Sequence, residues 1–211
     1  LKRIKFPVTV GYGMTETAPL ISFTPWTDFR SQSCGQVLKG FMDARIANPD
    51  MDGVGEIQVR GENVMAGYYK NEQATKESFT ADGWLRTGDL GIIDKDGFIY
   101  IKGRCKTMLL GPSGQNIYPE EIEAKINNMP YVLESLVLQK DTRLVALVCP
   151  DFEAVDADKL TQDQLEVVME ENRKLVNAEL AAYEQINELR IYTHEFEKTP
   201  KKSIKRFLYE A

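Results

Sequence analysis

Residues Trp84–Arg104 read WLRTGDLGIIDKDGFIYIKGR. Two apolar runs, Gly91-Ile92-Ile93-Asp94 and Phe98-Ile99-Tyr100-Ile101, are joined by Lys95-Asp96-Gly97. An Asp-Gly step between strand-like runs predicts a β-hairpin, because the tight turn needs positive φ. The polar tetrad Arg86-Thr87-Gly88-Asp89 precedes the first run as a glycine hinge ahead of the strand. The predicted hairpin therefore carries Asp89 at its entry and Gly103-Arg104 at its exit. A carboxylate accepts from both hydroxyls of a ribose, and an arginine grips a phosphate in a forked geometry. A surface hairpin with an ordinary salt bridge uses the same residues, so the flanking segments decide between the two.

Composition sets the outer bounds. The chain has 211 residues and a net charge of −6, enough for one or two domains with a real core and no electrostatic footing for general nucleic-acid binding. Its apolar runs are too short to span a membrane, which leaves only peripheral contact with one. The cysteines, Cys34, Cys105 and Cys149, are odd in number and widely spaced, as expected for free thiols in a reducing cytoplasm. The one histidine, His194, leaves no His-rich metal site and argues against a Ser-His-Asp triad; it reads as structural or exposed. The chain opens Leu1-Lys2-Arg3, and residues 1 to 10 alternate Ile4, Phe6, Val8 and Val10 like the last strand of something larger. The expectation is the carboxy-terminal part of a longer protein, with its amino-terminal domain missing.

Gly11-Tyr12-Gly13-Met14-Thr15-Glu16-Thr17 follows as a glycine loop. Its glycines allow close backbone approach to a ligand, Tyr12 offers a flat face, Thr15 a hydroxyl and Glu16 a carboxylate. Such a trio suits a purine, a phosphate and its Mg²⁺, and also suits a plain turn before a helix. Further on, Glu56–Arg60 alternates with Ile57 and Val59 on one face, and Val64, Met65, Tyr68 and Tyr69 read as core packing. Residues 72 to 79 read as one helical turn. Short strands with glycine-bearing turns predict a small antiparallel, barrel-like subdomain.

Leu109–Asn116 is a turn-rich loop, and Pro119-Glu120-Glu121 opens a helix striped by Ile122, Ile126 and Met129. Strands are predicted over Glu134–Gln139 and Arg143–Val148. Thr161-x-x-Gln164 is a capping box before a long amphipathic helix with a break, and Leu189, Ile191 and Tyr192 mark a last strand. The tail from Glu197 to Arg206 is strongly basic, as solvated termini often are. The fold class expected is α+β: a barrel-like β-subdomain followed by a mobile α+β carboxy-terminal domain. The segments are 1–36, a remnant of a larger domain, then 37–105 and 106–211.

GYGMTET, GEIQVRG (Gly55–Gly61), VMAGYYKNEQAT (Val64–Thr75), GWLRTGDLG (Gly83–Gly91), GRCKT (Gly103–Thr107) and YPEEIEAKIN (Tyr118–Asn127) occur in one order. Together they resemble the core motifs of the adenylate-forming ligases, which include acyl-CoA synthetases, nonribosomal peptide synthetase adenylation domains and firefly luciferase. The likeness spans nearly the whole chain and is strongest to the long-chain fatty-acid CoA ligases. It implies ATP-dependent activation of a carboxylic acid to acyl-AMP, then thioester formation with coenzyme A, in the cytoplasm. The cofactors implied are ATP, Mg²⁺ and coenzyme A; a fatty acid is the other substrate.

The resemblance also assigns parts. Tyr12 stacks on adenine, Gly13 belongs to the nucleotide-binding set, Thr15 contacts the nucleotide phosphates, and Glu16 helps hold Mg²⁺. Asp89 binds the ribose hydroxyls, Arg104 contacts the nucleotide, and Lys106 is the hinge about which the small domain turns. A tail lysine bridges the acyl carboxylate and the α-phosphate. The family places it four residues after the threonine, where this chain has Ser203, so Lys202 and then Lys201 are expected to act in its stead. No Gly/Ser/Thr-rich phosphate loop with a lysine occurs in these residues. The expectation is therefore half of an active site, inactive by itself. Acyl transfer to a carrier-protein thiol, or a non-catalytic nucleotide- or partner-binding module, are the alternatives.

Overall fold

The computed structural model describes residues 6–200 and 202–209. The chain divides into two compact units, Leu1–Lys106 and Thr107–Ala211.

In the first unit, β1 (Val10–Gly13), β2 (Leu20–Thr24) and β3 (Gln36–Val37) form one antiparallel sheet. Of the strand expected over residues 1–10, residues 1–5 lie outside the described residues and 6–9 are not strand; β1 begins at Val10 and includes the glycines expected to form a loop. The physical reason is pairing, since Gly11 and Tyr12 lie opposite Phe23 and Ser22. Strands β4 (Met42–Ala47), β5 (Gly55–Gly61), β6 (Leu85–Ile93) and β7 (Ile99–Arg104) make a four-stranded antiparallel meander, interrupted by helix α1 (Glu72–Ser78). The Cys34 amide donates to Ile99 O at 2.8 Å and the Val37 amide to Gly97 O at 2.9 Å, so the segment around β3 is tied to β7 and its turn. Neither sheet closes into a barrel.

Ile21, Met42, Ile57, Val59, Leu85 and Ile99 form the core of this unit, with Val64 and Met65 packed against it. Tyr68 and Tyr69 do not join them, contrary to the expectation of core packing; Tyr69 is 88% exposed. The chain turns at Gly67 (φ +151°) and Lys70 (φ +52°), and the Tyr68 amide donates to Thr75 Oγ1, which aims both rings outward.

The hairpin between β6 and β7 closes with a tight turn in which the Gly97 amide, at φ +86°, donates to Asp94 O at 2.9 Å. Asp94 Oδ1 accepts from the amides of Asp96 and Phe98, which fixes the turn from its first residue. The strand starts earlier than expected, at Leu85, so Arg86–Asp89 lies inside β6. Gly88, at φ +73°, sits where pairing with β5 slips between Gln58↔Arg86 and Glu56↔Leu90. A bulge of this kind re-aims the side chain that follows it, here Asp89.

The second unit opens with a two-stranded ribbon, β8 (Leu109–Leu110) and β9 (Asn116–Ile117), where a loop was expected. Helix α2 (Pro119–Ile126) follows, with Pro119 in its first turn. β10 (Val132–Lys140) and β11 (Arg143–Pro150) pair antiparallel, and β12 (Ile186–Ile191) adds to β11 in parallel. Between them lie α3 (Phe152–Ala157), which the sequence reading missed, and α4 (Gln162–Asn177), capped by Thr161 and Gln164 and continuous rather than broken. One sheet face buries Val137, Leu144, Ala146 and Val148 under Ile122, Ile126, Leu165 and Met169. The alternate residues Leu136, Val145, Leu147 and Cys149 bury Phe196, with Tyr192, Ile204 and Tyr209 around it. The tail thus covers the second face of the sheet instead of trailing in solvent.

Candidate active site

Three separated segments of the first unit meet at Asp89. In the hairpin register Asp89 stands directly opposite Arg104, so the two ends of the element are cross-strand partners. Arg104 Nε lies 2.9 Å from Asp89 Oδ1, and the Tyr12 hydroxyl donates to Asp89 Oδ2 at 2.6 Å. The Asp89 amide donates to Thr87 Oγ1, whose hydroxyl donates to Ile57 O at 2.7 Å, anchoring the bulge to β5. The Asp89 side chain is 10% exposed, and that of Arg104 is 63% exposed. One carboxylate therefore presents a narrow accessible edge between a phenol ring and an exposed guanidinium. Burial, then the Asp89 charge, push the Tyr12 hydroxyl far above its ordinary pKa, so it remains a donor.

Thr15–Thr17 forms a single 3-10 turn after β1. Thr15 is exposed, whereas Thr17 is buried and bonds to Met14 O and Pro19 O within the turn. Glu16 is half-buried and accepts from the Tyr68 hydroxyl at 2.8 Å, a bond that raises the Tyr68 pKa. Gly13 has a reason of its own to be glycine: a Cβ there would meet Pro19 O at 1.8 Å. Close approach at this position is to the chain's own backbone.

Among the described residues no group of three or more His, Cys, Asp or Glu side chains could enclose a metal ion. Mg²⁺ takes one or two carboxylates and completes its shell with water and phosphate oxygens, so the fit turns on single side chains. Glu16, half-buried and accepting from the Tyr68 hydroxyl, offers such a carboxylate beside the exposed Thr15.

Lys106 is exposed and lies in a turn at the last residue of the first unit. In the second unit the tail forms a tight loop: the Thr199 amide donates to Ser203 O and the Lys202 amide to Thr199 O, both at 2.8 Å. Lys202 is exposed at the tip with φ +60°. Lys198 and Lys205 are engaged by Glu134 (2.7 Å) and Glu197 (3.1 Å). Ser203 is exposed beside Lys202, and Lys201 lies outside the described residues.

Two functional-looking residues escaped the sequence reading. Glu123 and Arg206 form a largely buried ion pair under the tail, with Glu123 8% exposed. Glu123 was hidden in a helix already explained by its apolar stripe. A buried acid on that stripe, and one arginine in a lysine run, were the available signals. His194 is exposed, beside Thr193, and takes no part.

Residues 1–69 match the family model described as AMP-binding enzyme. The chain is 32% identical over 216 residues to the long-chain-fatty-acid–CoA ligase FadD15 of Mycobacterium bovis, covering 93% of this chain and 35% of that protein. It is 45% identical over 129 residues to the sulfoacetate–CoA ligase of Cupriavidus necator, covering 58% of this chain and 25% of that protein. Among solved structures, the O-succinylbenzoate coenzyme A synthetase MenE of Bacillus subtilis, in complex with ATP and magnesium ion, superposes with a TM-score of 0.75. That match has 27% identity and covers 98% of this chain and 42% of that chain. The chain thus spans about a third or less of the curated relatives just described.

Proposed function

We propose, for a chain that belongs to the adenylate-forming AMP-binding enzymes, that the whole protein is an AMP-forming acid–thiol ligase. Its reaction joins a carboxylic acid to AMP and then passes the acyl group to coenzyme A. The observation that carries this reading is the meeting of Tyr12, Asp89 and Arg104, three residue types suited to one nucleotide and drawn from three segments.

A carboxylate resists attack by a thiol, because its charge repels the nucleophile and its oxygen leaves poorly. Adenylation replaces that oxygen with a good leaving group, and the protein's part is positioning and charge neutralisation. In this reading the Tyr12 ring stacks on adenine, the accessible edge of Asp89 receives the ribose hydroxyls, and Arg104 swings onto the nucleotide. Thr15 lies at the phosphates, Gly13 lets the turn that carries it fold back on Pro19, and Glu16 holds Mg²⁺, which screens phosphate charge when bound. Lys202 at the loop tip supplies the cation for the adenylation transition state, with Lys201 next in line and Ser203 unable to do so. Lys106 is the hinge that lets coenzyme A follow ATP chemistry.

For the acid, a long-chain fatty acid is the first choice, supported by the ligase of that name at 32% identity. The sulfoacetate and O-succinylbenzoate relatives show that the same likeness extends to enzymes named for very different acids. No helix among the described residues is long and apolar enough to cross a membrane. A second reading, a nucleotide-binding module without catalysis, is favoured by one observation, Ser203 at the family's lysine position. Pyrophosphate exchange by the whole protein across a graded series of carboxylic acids tests both. Exchange that rises with acyl length supports the ligase; ATP binding without exchange on any acid supports the module.

A further inference from the structure

The second unit contains a pair of partly sealed carboxylates for which the nucleotide chemistry has no use. Both hold the stems of the tail loop. On the entry stem, Glu134 accepts the Phe196 amide at 3.0 Å and Lys198 Nζ at 2.7 Å. On the exit stem, Arg206 bonds to Glu123 and donates from Nη1 to Val137 O at 3.2 Å. Glu123 in turn accepts the Val137 amide at 2.7 Å. Both polar groups of one residue on the edge strand β10 are therefore closed by this ion pair. Lys202 lies midway along the chain between Lys198 and Arg206.

We propose that Arg206 and Glu123 are positioning residues for adenylation, fixing the exit stem of the tail loop so that Lys202 is presented at one point. This rests on the reading above, in which a tail lysine supplies the adenylation cation. Phe196, Ile204 and Tyr209 hold the tail to the sheet by apolar contact, which sets depth but leaves register free to slide. A forked guanidinium bound to a carboxylate and a carbonyl fixes register and orientation as well. A shift of about 1 Å at a reacting group lowers rate by about a hundredfold, so register is what the reaction senses. Burial pushes the Glu123 carboxyl up to about 7 despite the arginine beside it.

The test uses the whole protein and separates the half-reactions: pyrophosphate exchange for adenylation, and thioester formation from preformed acyl-adenylate. Arg206→Ala is expected to lower adenylation by about a hundredfold, with the second half-reaction little changed. Arg206→Lys should restore part of it, because an ammonium cannot fork. Glu123→Gln keeps an oxygen for the Val137 amide and should shift adenylation in the same direction, which serves if Arg206→Ala fails to fold. If both half-reactions fall together in step with the unfolding midpoint, or neither falls, the positioning role is wrong. A Lys201→Ala, Lys202→Ala double variant distinguishes the two failures. Should it adenylate at the parent's rate, the lysine reading falls and this inference with it; should it lose adenylation while the Arg206 and Glu123 variants retain it, this inference alone falls.

Discussion

Tyr12 and Glu123 are two residues whose chemistry is strongly altered by burial. The Tyr12 hydroxyl serves an ionised acceptor in a half-buried setting, and such a bond contributes about 1.5–3 kcal/mol. Tyr12→Phe should therefore lower the stability of the first unit by about that amount. It keeps the ring, so the Michaelis constant for ATP should move much less than in Tyr12→Ala. Kinetics and chemical unfolding on the two variants check this. For Glu123, burial raises the carboxyl from 4.5 to about 7, opposed by Arg206 and the Val137 amide and aided by Glu120. A folded pKa above the unfolded one means the contribution is fully present below about 4.5 and is lost as pH rises through about 7. Relative to Glu123→Gln, the parent should thus lose stability between those limits. Urea unfolding at about pH 5 and about pH 8 measures it, and a flat difference would contradict the assignment. Asp89 and Arg104 were legible in the sequence because the Asp-Gly turn sets the register that pairs them. Glu123 and Arg206 were not, since a long-range ion pair leaves no periodic trace.

At the scale of elements, the bulge at Gly88 aims Asp89, and the tail loop is the element for which a positioning role is proposed. Gly88 has φ +73° and open space where a Cβ would be, so its constraint is conformational and not steric crowding. Gly88→Val should cost about 1–2 kcal/mol and turn Asp89 away, whereas Gly88→Asn should be milder because asparagine tolerates this region. Comparing ATP affinity and stability in the two variants decides it. If Lys106 is the hinge, Lys106→Pro freezes its φ, sparing adenylation relative to thioester formation. An equal fall in both half-reactions would remove Lys106 from that role. The alternation Ile57/Val59 and the Thr161 capping box gave their elements from sequence alone. The parallel placement of β12 and the tail's return onto the sheet were hidden, because strand direction and long-range covering depend on tertiary packing that local pattern does not encode. Tyr68 and Tyr69 misled for a related reason: aromatic content signals core only where the backbone turns inward.

Across the whole molecule, each unit has a core of its own. Both tryptophans, Trp26 and Trp84, belong to the first unit, so their fluorescence reports that unit while the tyrosines of 107–211 report the other. Residues 107–211 expressed alone should unfold cooperatively, with Tyr192 and Phe196 still stacked and Tyr209 edge-on to both. A broad, non-cooperative transition would show that this core needs the rest of the chain. The central claim, though, lies in the first unit: one carboxylate organises a nucleotide site. The most direct measurement is ATP–pyrophosphate exchange by the whole protein and its Asp89→Ala variant, with a long-chain fatty acid present. The account predicts acid-dependent exchange in the parent. In the variant, two charge-assisted ribose bonds of about 1.5–3 kcal/mol each are gone, and exchange should fall by roughly a hundredfold or more. Exchange in Asp89→Ala at the parent's rate, with the parent's Michaelis constant for ATP, would contradict it.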